Sequence, residues 1–150
     1  MTPANGYNPL RWDCAKRGCF NLKRRPKIEL FADCFPGRMS FGDVDGIVEV
    51  NGNALLLEWK SEERDLPAGQ RILYERLTRN SPISVLIVVG DAETMAVEAS
   101  AIFFEGTRYP PEGFEPADLA IIRHHMTTWS AYAASHPALH PRHAATGAAA

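Results

Sequence analysis

The chain has 150 residues, about the length of one ordinary domain and enough to bury a single hydrophobic core. Hydrophobic residues make up 45% of it and charged residues 23%, a composition that excludes disordered and fibrous proteins and predicts a globular domain. The net charge of −2 conceals an asymmetry, because residues 11–38 carry eight basic and three acidic side chains, a local net charge of +5.

The hydropathy and cysteine patterns bear on the compartment. No apolar run approaches the roughly 20 residues of a membrane helix, and Met1 to Pro9 lacks the layout of a secretion signal. Three cysteines, Cys14, Cys19 and Cys34, are an odd number that fits reduced thiols better than a disulfide framework. Zinc ligation, with a histidine as a further ligand, is the alternative interpretation of these thiols. We therefore expect a cytoplasmic protein that does not enter the membrane.

The first half of the chain predicts an arm, a short helix and a hairpin. Residues 1–25 show no sustained period and predict an irregular basic arm. Pro26 is placed to begin a short helix that ends at Pro36-Gly37. Met39 to Val50 and Ala54 to Trp59 suit strands, and Asn51-Gly52 between them is typical of a two-residue β-hairpin turn.

The second half predicts helix, strand and helix around a turn-rich segment. A helix is expected from about Gln70 to Thr78, and the aliphatic run Ile83 to Val89 predicts a central strand that is covered on both faces. A short strand is expected over residues 101–104 and a loop over 105–116. The last helix is predicted over about 116–134 from apolar residues at three- and four-residue spacing, namely Leu119, Ile122, Met126, Trp129 and Ala133.

Three segments follow from this reading. They are the basic arm (1–25), one folded domain (26–134) and a tail (135–150) that is rich in Ala, His and Pro and is expected to be disordered. We expect an α/β domain with a mixed sheet.

The predicted hairpin brings three acidic side chains and one lysine together. A two-residue turn at Asn51-Gly52 sets Asp45 opposite Glu58 and Asp43 opposite Lys60. Because side chains alternate along a strand, all four share one face of the sheet. Adjacent carboxylates repel, and a divalent cation relieves that repulsion. Oxygen ligands of this kind suit Mg²⁺ or Mn²⁺ better than zinc.

This arrangement resembles the PD-(D/E)xK nuclease superfamily, with GDVDG at residues 42–46 and LLLEWK at residues 55–60. The resemblance implies a restriction-endonuclease-like core in which a β-hairpin and a central strand are flanked by helices. It makes Asp45 and Glu58 metal ligands and Lys60 the catalytic lysine, with Asp43 as a rival to Asp45. Glu29 resembles the acid that the preceding helix often supplies.

Residues 70–74 (QRILY) resemble the Gln-x-x-x-Tyr element of RecB-like and lambda-type exonucleases. That likeness implies that Gln70 and Tyr74 contact nucleic acid beside the site, while Arg24, Arg25 and Lys27 are expected to contact phosphates. The predicted function is a Mg²⁺- or Mn²⁺-dependent deoxyribonuclease, and its small size suggests a phage or mobile-element enzyme. The alternative is an inactive nuclease-fold module that binds nucleic acid or a protein. The choice between exonuclease and endonuclease, the DNA form and the oligomeric state stay open.

Overall fold

The computed structural model describes residues 28–38 and 41–138 of the chain. It divides into two compact units, Met1–Asp43 and Val44–Ala150. The boundary lies within the predicted 26–134 domain. The predictions for the basic arm, for Arg24, Arg25 and Lys27, and for residues 139–150 of the tail lie outside the described residues.

The described part of the first unit contains two short 3₁₀ helices, Ile28–Cys34 and Pro36–Arg38. Gly37 adopts φ 65° inside the second one, a left-handed conformation that glycine tolerates without steric cost. The rings of Phe35 and Phe41 meet edge to face with centroids 5.4 Å apart. The predicted helix is therefore present in the tighter 3₁₀ form, which suits short segments.

In the described residues, the second unit combines a mixed six-stranded sheet with two α-helices, which confirms the α/β class. The strands are β1 (Gly46–Val50), β2 (Asn53–Lys60), β3 (Ile83–Asp91), β4 (Ala96–Phe104), β5 (Thr107–Tyr109) and β6 (Glu115–Pro116). The helices are α1 (Ala68–Thr78) and α2 (Leu119–Ser135). No helix among the described residues is long and apolar enough to cross a bilayer.

The sheet runs in the order β1-β2-β3-β4-β5, with β6 also paired to β4. β2 and β3 are parallel and are joined through α1, whereas the other pairs are antiparallel. As the sequence predicts, β3 is central, and residues 84–90 within it are all buried.

The hairpin turn has the predicted length. Asn51 and Gly52 both have positive φ, 51° and 85°, as a two-residue hairpin turn of this kind requires. Val50 pairs with Asn53, and the ladder continues in the expected register to its last pair, Gly46 with Leu57. The prediction of a strand from Met39 onward was too long, because no strand is assigned over residues 41–45.

The two faces of the sheet carry separate hydrophobic cores. On one face α1 covers the α1-side core, formed by Leu66, Tyr74, Val85, Ile87 and Phe103. On the other face α2 covers the α2-side core, formed by Leu55, Leu86, Val88, Ala117 and Ile122. Burial of β3 on both faces fits its continuous aliphatic run.

The segment after β3 differs most from expectation. β4 begins at Ala96 rather than near residue 101, and β5 and β6 lie within the predicted loop. β4 can start early because Oδ1 of Asp91 accepts hydrogen bonds from the backbone N–H groups of Glu93 and Thr94, which closes the connecting turn.

Helix α2 begins after Asp118, whose Oδ1 accepts a hydrogen bond from the N–H of Ile121 at 2.8 Å. The residues directly beyond the helix bond to the hairpin: Ala138 N–H donates to the Asn51 carbonyl, and Asn53 Nδ2 donates to the His136 carbonyl. The start of the predicted tail therefore belongs to the folded second unit.

Candidate active site

Strand β2 brings Glu58 and Lys60 to the α1 side of the sheet. Leu56 packs against the α1-side core, and alternation along the strand places Glu58 and Lys60 on that same face. Both side chains are half-buried. They lie at the carboxyl end of a strand that is parallel to its neighbour and followed by a crossover helix, the edge where open α/β sheets bind ligands.

Asp45 lies one residue before β1, at the next register position toward Glu58. Its side-chain Oδ2 accepts a hydrogen bond from the backbone N–H of Trp59 at 2.6 Å. The expected direct strand pair between Asp45 and Glu58 is not part of the ladder, which ends at Gly46 and Leu57. The carboxylate is instead fastened to β2 by its own hydrogen bond, so it lies beside the strand that carries Glu58.

Tyr74 of α1 lies close to both acids. Its side chain is buried, and its ring lies 5.4 Å from that of Phe103, measured between centroids. Burial, the largest cause, and the negative charges of Glu58 and Asp45 together raise the pKa of Tyr74 to about 12. Both acids therefore lie within electrostatic range of the phenol.

Lys60 approaches an aromatic ring. Its Nζ lies 5.9 Å from the centroid of Phe114, at the outer range of a cation–π contact. Phe114 is half-buried and packs against the α1-side core from the loop between β5 and β6. The lysine ammonium is therefore bordered by protein on the side of that loop.

Arg108 of β5 is a member of this neighbourhood that the sequence did not reveal. Its side chain is only 8% exposed, and its Cζ lies 5.3 Å from the Phe114 centroid and 5.9 Å from that of Phe103. Its Nη2 donates a hydrogen bond to the Gly113 carbonyl. Residues 105–116 were predicted to be a loop, and a three-residue strand inside such a segment carries too little periodicity to mark its inward-facing residue.

The donor set bears on which metal the site suits. Among the described residues, no group of three or more His, Cys, Asp and Glu side chains forms a ready metal cage. Mg²⁺ is usually bound through one or two carboxylates, with waters and substrate phosphate as its other ligands. The pair of Asp45 and Glu58 fits that pattern and lacks the nitrogen and sulfur ligands typical of zinc.

The other predicted site residues are placed as follows. Gln70 is half-buried in the first turn of α1, four residues before Tyr74 and therefore on the same side of the helix. Asp43 belongs to the first unit, so its rivalry with Asp45 stays open. Glu29 lies in the first 3₁₀ helix, but its side chain lies outside the described part of the chain.

No protein-family model, no curated protein and no solved structure matches this chain. The function must therefore be inferred from the chemistry of the site.

Proposed function

We propose that this protein is a metal-dependent nuclease that hydrolyses phosphodiester bonds in DNA, built on a restriction-endonuclease-like core of the PD-(D/E)xK type. The proposal depends on one observation above all. Asp45 is hydrogen-bonded to the backbone N–H of Trp59, the residue after Glu58, and Lys60 shares the face of Glu58 at the carboxyl end of β2. Two acids and a lysine at one strand end are the groups that phosphodiester hydrolysis needs.

Asp45 and Glu58 would hold a Mg²⁺ or Mn²⁺ ion. Such an ion, when bound, favours ionisation of water and neutralises charge on the phosphate. The hydrogen bond from Trp59 N–H to Oδ2 of Asp45 holds this carboxylate against β2, beside the residue that follows Glu58. Fixing the ligand in advance lowers the entropic cost of binding.

Lys60 and Tyr74 have different roles in this proposal. The Lys60 ammonium would orient the attacking water and stabilise the negative charge that develops on the phosphate oxygens. Tyr74 is protonated at neutral pH, as any tyrosine with a pKa of 10 or above is, so its hydroxyl can donate a hydrogen bond. Its buried ring makes it a positioning residue rather than a surface on which bases stack.

DNA as the substrate rests on the family resemblance and on the basic segment. Residues 11–38 have the local charge of +5 that attracts a phosphate backbone, and Arg24, Arg25 and Lys27 are its central cations. Gln70, at the start of the helix that carries Tyr74, is the further candidate for a contact to the nucleic-acid strand.

The test is cleavage of single-stranded, duplex and branched DNA by the purified protein with Mg²⁺ or Mn²⁺. We expect Lys60→Ala and Asp45→Asn to abolish cleavage, whereas Glu98→Gln, which neutralises an exposed carboxylate of β4, should leave it intact. Cleavage that survives both site substitutions would rule out the assignment, since a contaminating nuclease or another site would then be responsible.

The alternative is a module that binds nucleic acid or a protein without cutting. Titration calorimetry with Mn²⁺ separates the two, because a nuclease site should bind the ion and lose it in Glu58→Gln. A protein that binds DNA but neither binds Mn²⁺ nor cleaves any of the three DNA forms would favour the alternative.

A further inference from the structure

Arg108 is a buried cation whose surroundings do not fully satisfy it. Only its Nη2 has a hydrogen bond to the described chain, to the Gly113 carbonyl, while its Nε is buried and meets no acceptor among the described residues. A buried donor without an acceptor destabilises the folded state. Such a guanidinium adds little to stability, so another explanation is needed for its place between Phe103 and Phe114.

The loop that Arg108 holds carries the ring that Lys60 meets. Gly113 has φ 65°, a left-handed conformation, and its carbonyl accepts the hydrogen bond from Arg108. Phe114 follows directly, and its ring lies within 6 Å of both the Arg108 Cζ and the Lys60 Nζ. The guanidinium thus fixes the residue before the ring and also packs against the ring itself.

Lys60 needs such a boundary because its side chain is long and flexible. Its ammonium ends a flexible four-carbon stem with many accessible rotamers, so many orientations compete with one another. On the sheet Lys60 faces Val89 of β3, whose aliphatic side chain offers it no polar anchor. The Phe114 ring offers a cation–π contact that restricts the ammonium without taking up its hydrogen-bond donors.

We propose that Arg108 and Phe114 are positioning residues for Lys60, with Arg108 holding the Phe114 ring and the ring restricting the lysine ammonium beside Asp45 and Glu58. This inference rests on the proposed nuclease function for its effect on rate, but the contact itself is independent of activity. Because neither residue binds substrate in this scheme, losing one lowers kcat and leaves KM and Mn²⁺ affinity unchanged.

The first measurement is structural and needs no activity. Nuclear Overhauser effects between the Lys60 Hε protons and the Phe114 ring protons are expected in the wild type and in Phe114→Tyr. They should weaken or vanish in Arg108→Met, which keeps the packing volume but removes the hydrogen bond to Gly113. Contacts of equal strength in Arg108→Met and wild type would overturn the role of Arg108.

The second measurement is kinetic. We expect kcat to fall about threefold to tenfold in Arg108→Met and in Phe114→Leu, the range that a lost cation–π contact supports. Phe114→Tyr should recover the rate. Phe104→Leu is the matched control, because that ring packs edge to face on Tyr132 of α2 instead.

Stability distinguishes positioning from a structural role. Replacing an incompletely satisfied buried cation by an apolar side chain should leave the melting temperature of Arg108→Met unchanged or higher while kcat falls. A lower melting temperature with wild-type kcat per folded molecule would overturn the proposal. If the wild type cleaves no DNA, the nuclease function fails, and the Overhauser contacts still decide whether Arg108 and Phe114 hold Lys60.

Discussion

The backbone N–H of Trp59 donates to Oδ2 of Asp45 over 2.6 Å, so a side chain replaces the strand partner that β2 would otherwise have there. In an antiparallel pair, alternate residues exchange backbone hydrogen bonds, and the Gly46–Leu57 pair is the last one formed. Aspartate side chains compete well for backbone donors, which is why they end regular structure. The Asp45 carboxylate therefore ends the pairing of β1 with β2 and lies beside the strand that carries Glu58.

Because Asp45 both accepts this hydrogen bond and is a proposed metal ligand, two different substitutions at this position should separate its effect on stability from its effect on metal binding. Asp45→Ala should lower the free energy of unfolding by about 1 kcal/mol, because the Trp59 N–H loses its acceptor. Asp45→Asn should cost much less, since the amide oxygen can still accept. Both variants should lose Mn²⁺ binding, which titration calorimetry measures. Urea denaturation measures the difference in their unfolding free energies.

Asp118 supplies the matched control for this pair of variants. It caps α2 through Oδ1, so Asp118→Ala should also cost about 1 kcal/mol and Asp118→Asn little. Neither should alter Mn²⁺ affinity. If Asp45→Asn bound Mn²⁺ as tightly as the wild type, Asp45 would not be the ligand, and Asp43 would be the next residue to substitute.

The raised pKa of Tyr74 predicts that the folded protein loses stability in alkali. Its folded-state pKa is about 12 against an ordinary value of 10, so the unfolded chain loses this proton first as the pH rises. The stabilising contribution is therefore complete below pH 10 and is lost between about pH 10 and 12, amounting to roughly 2–3 kcal/mol. The difference in unfolding free energy between wild type and Tyr74→Phe, followed from pH 8 to 12, isolates this residue from the other titrating groups.

The charges of the acids can be separated from burial by the same titration. Glu58→Gln removes one of the negative charges and should lower the pKa of Tyr74 toward 10 without reaching it, because burial remains the larger cause. Ultraviolet difference spectra of the phenolate report this shift. An unchanged pKa in Glu58→Gln would mean that Glu58 does not lie near the hydroxyl.

The sequence predicted the elements whose signals are local. Asn51-Gly52 set both the turn and the register because its two residues must adopt positive φ. The run from Ile83 to Val89 predicted β3, because a strand that is buried on both faces is apolar at successive positions instead of alternating between apolar and polar residues. β4 was predicted only in part: residues 96–100 place Glu98 and Ser100 among small apolar residues, a pattern that indicates neither helix nor strand clearly.

The candidate site likewise contains residues that the sequence could reveal and residues that it could not. Glu58 and Lys60 could be found because they follow a recognisable strand at alternate positions. Arg108 and Phe114 could not, since their contacts come from β5 and from the loop that follows it, where pairing with β4 is a tertiary effect. Asp45 was found, but its bond to Trp59 was not, because a side chain that replaces a strand partner leaves no periodic signature.

Two glycines should respond to alanine in opposite directions. Gly52 has φ 85° in the hairpin turn, so Gly52→Ala forces a strained conformation and should destabilise the protein by about 1 kcal/mol or more. Gly69 lies in the first turn of α1, where an added Cβ would meet no atom within 4 Å. Gly69→Ala should therefore stabilise by up to about 1 kcal/mol, because alanine favours helix. Denaturation midpoints measure both, and equal shifts in one direction would contradict the assigned turn.

The sheet leaves no room for a side chain at Gly90. A Cβ there would overlap the Ala96 carbonyl oxygen and lie 2.9 Å from the Cα of Val97, across the irregular pairing of β3 with β4. The Gly90 carbonyl also accepts the hydrogen bond from Trp59 Nε1 at 2.9 Å, so moving this backbone releases the indole of the residue that follows Glu58. We expect Gly90→Ala to cost about 3 kcal/mol or more, among the larger effects of a single substitution.

Hydrogen exchange provides the measurement for Gly90, because the indole N–H of Trp59 should exchange slowly in the wild type and quickly in Gly90→Ala. Trp129 is the internal reference: its Nε1 donates to Ser84 Oγ at 3.2 Å near the start of β3, at the opposite end of the strand from Gly90, and it should change less. A Gly90→Ala protein with wild-type stability and a protected Trp59 indole would mean that β3 and β4 do not approach closely at this point. Loss of protection at Trp59 with reduced Mn²⁺ affinity would instead link the order of this strand end to the acids that it carries.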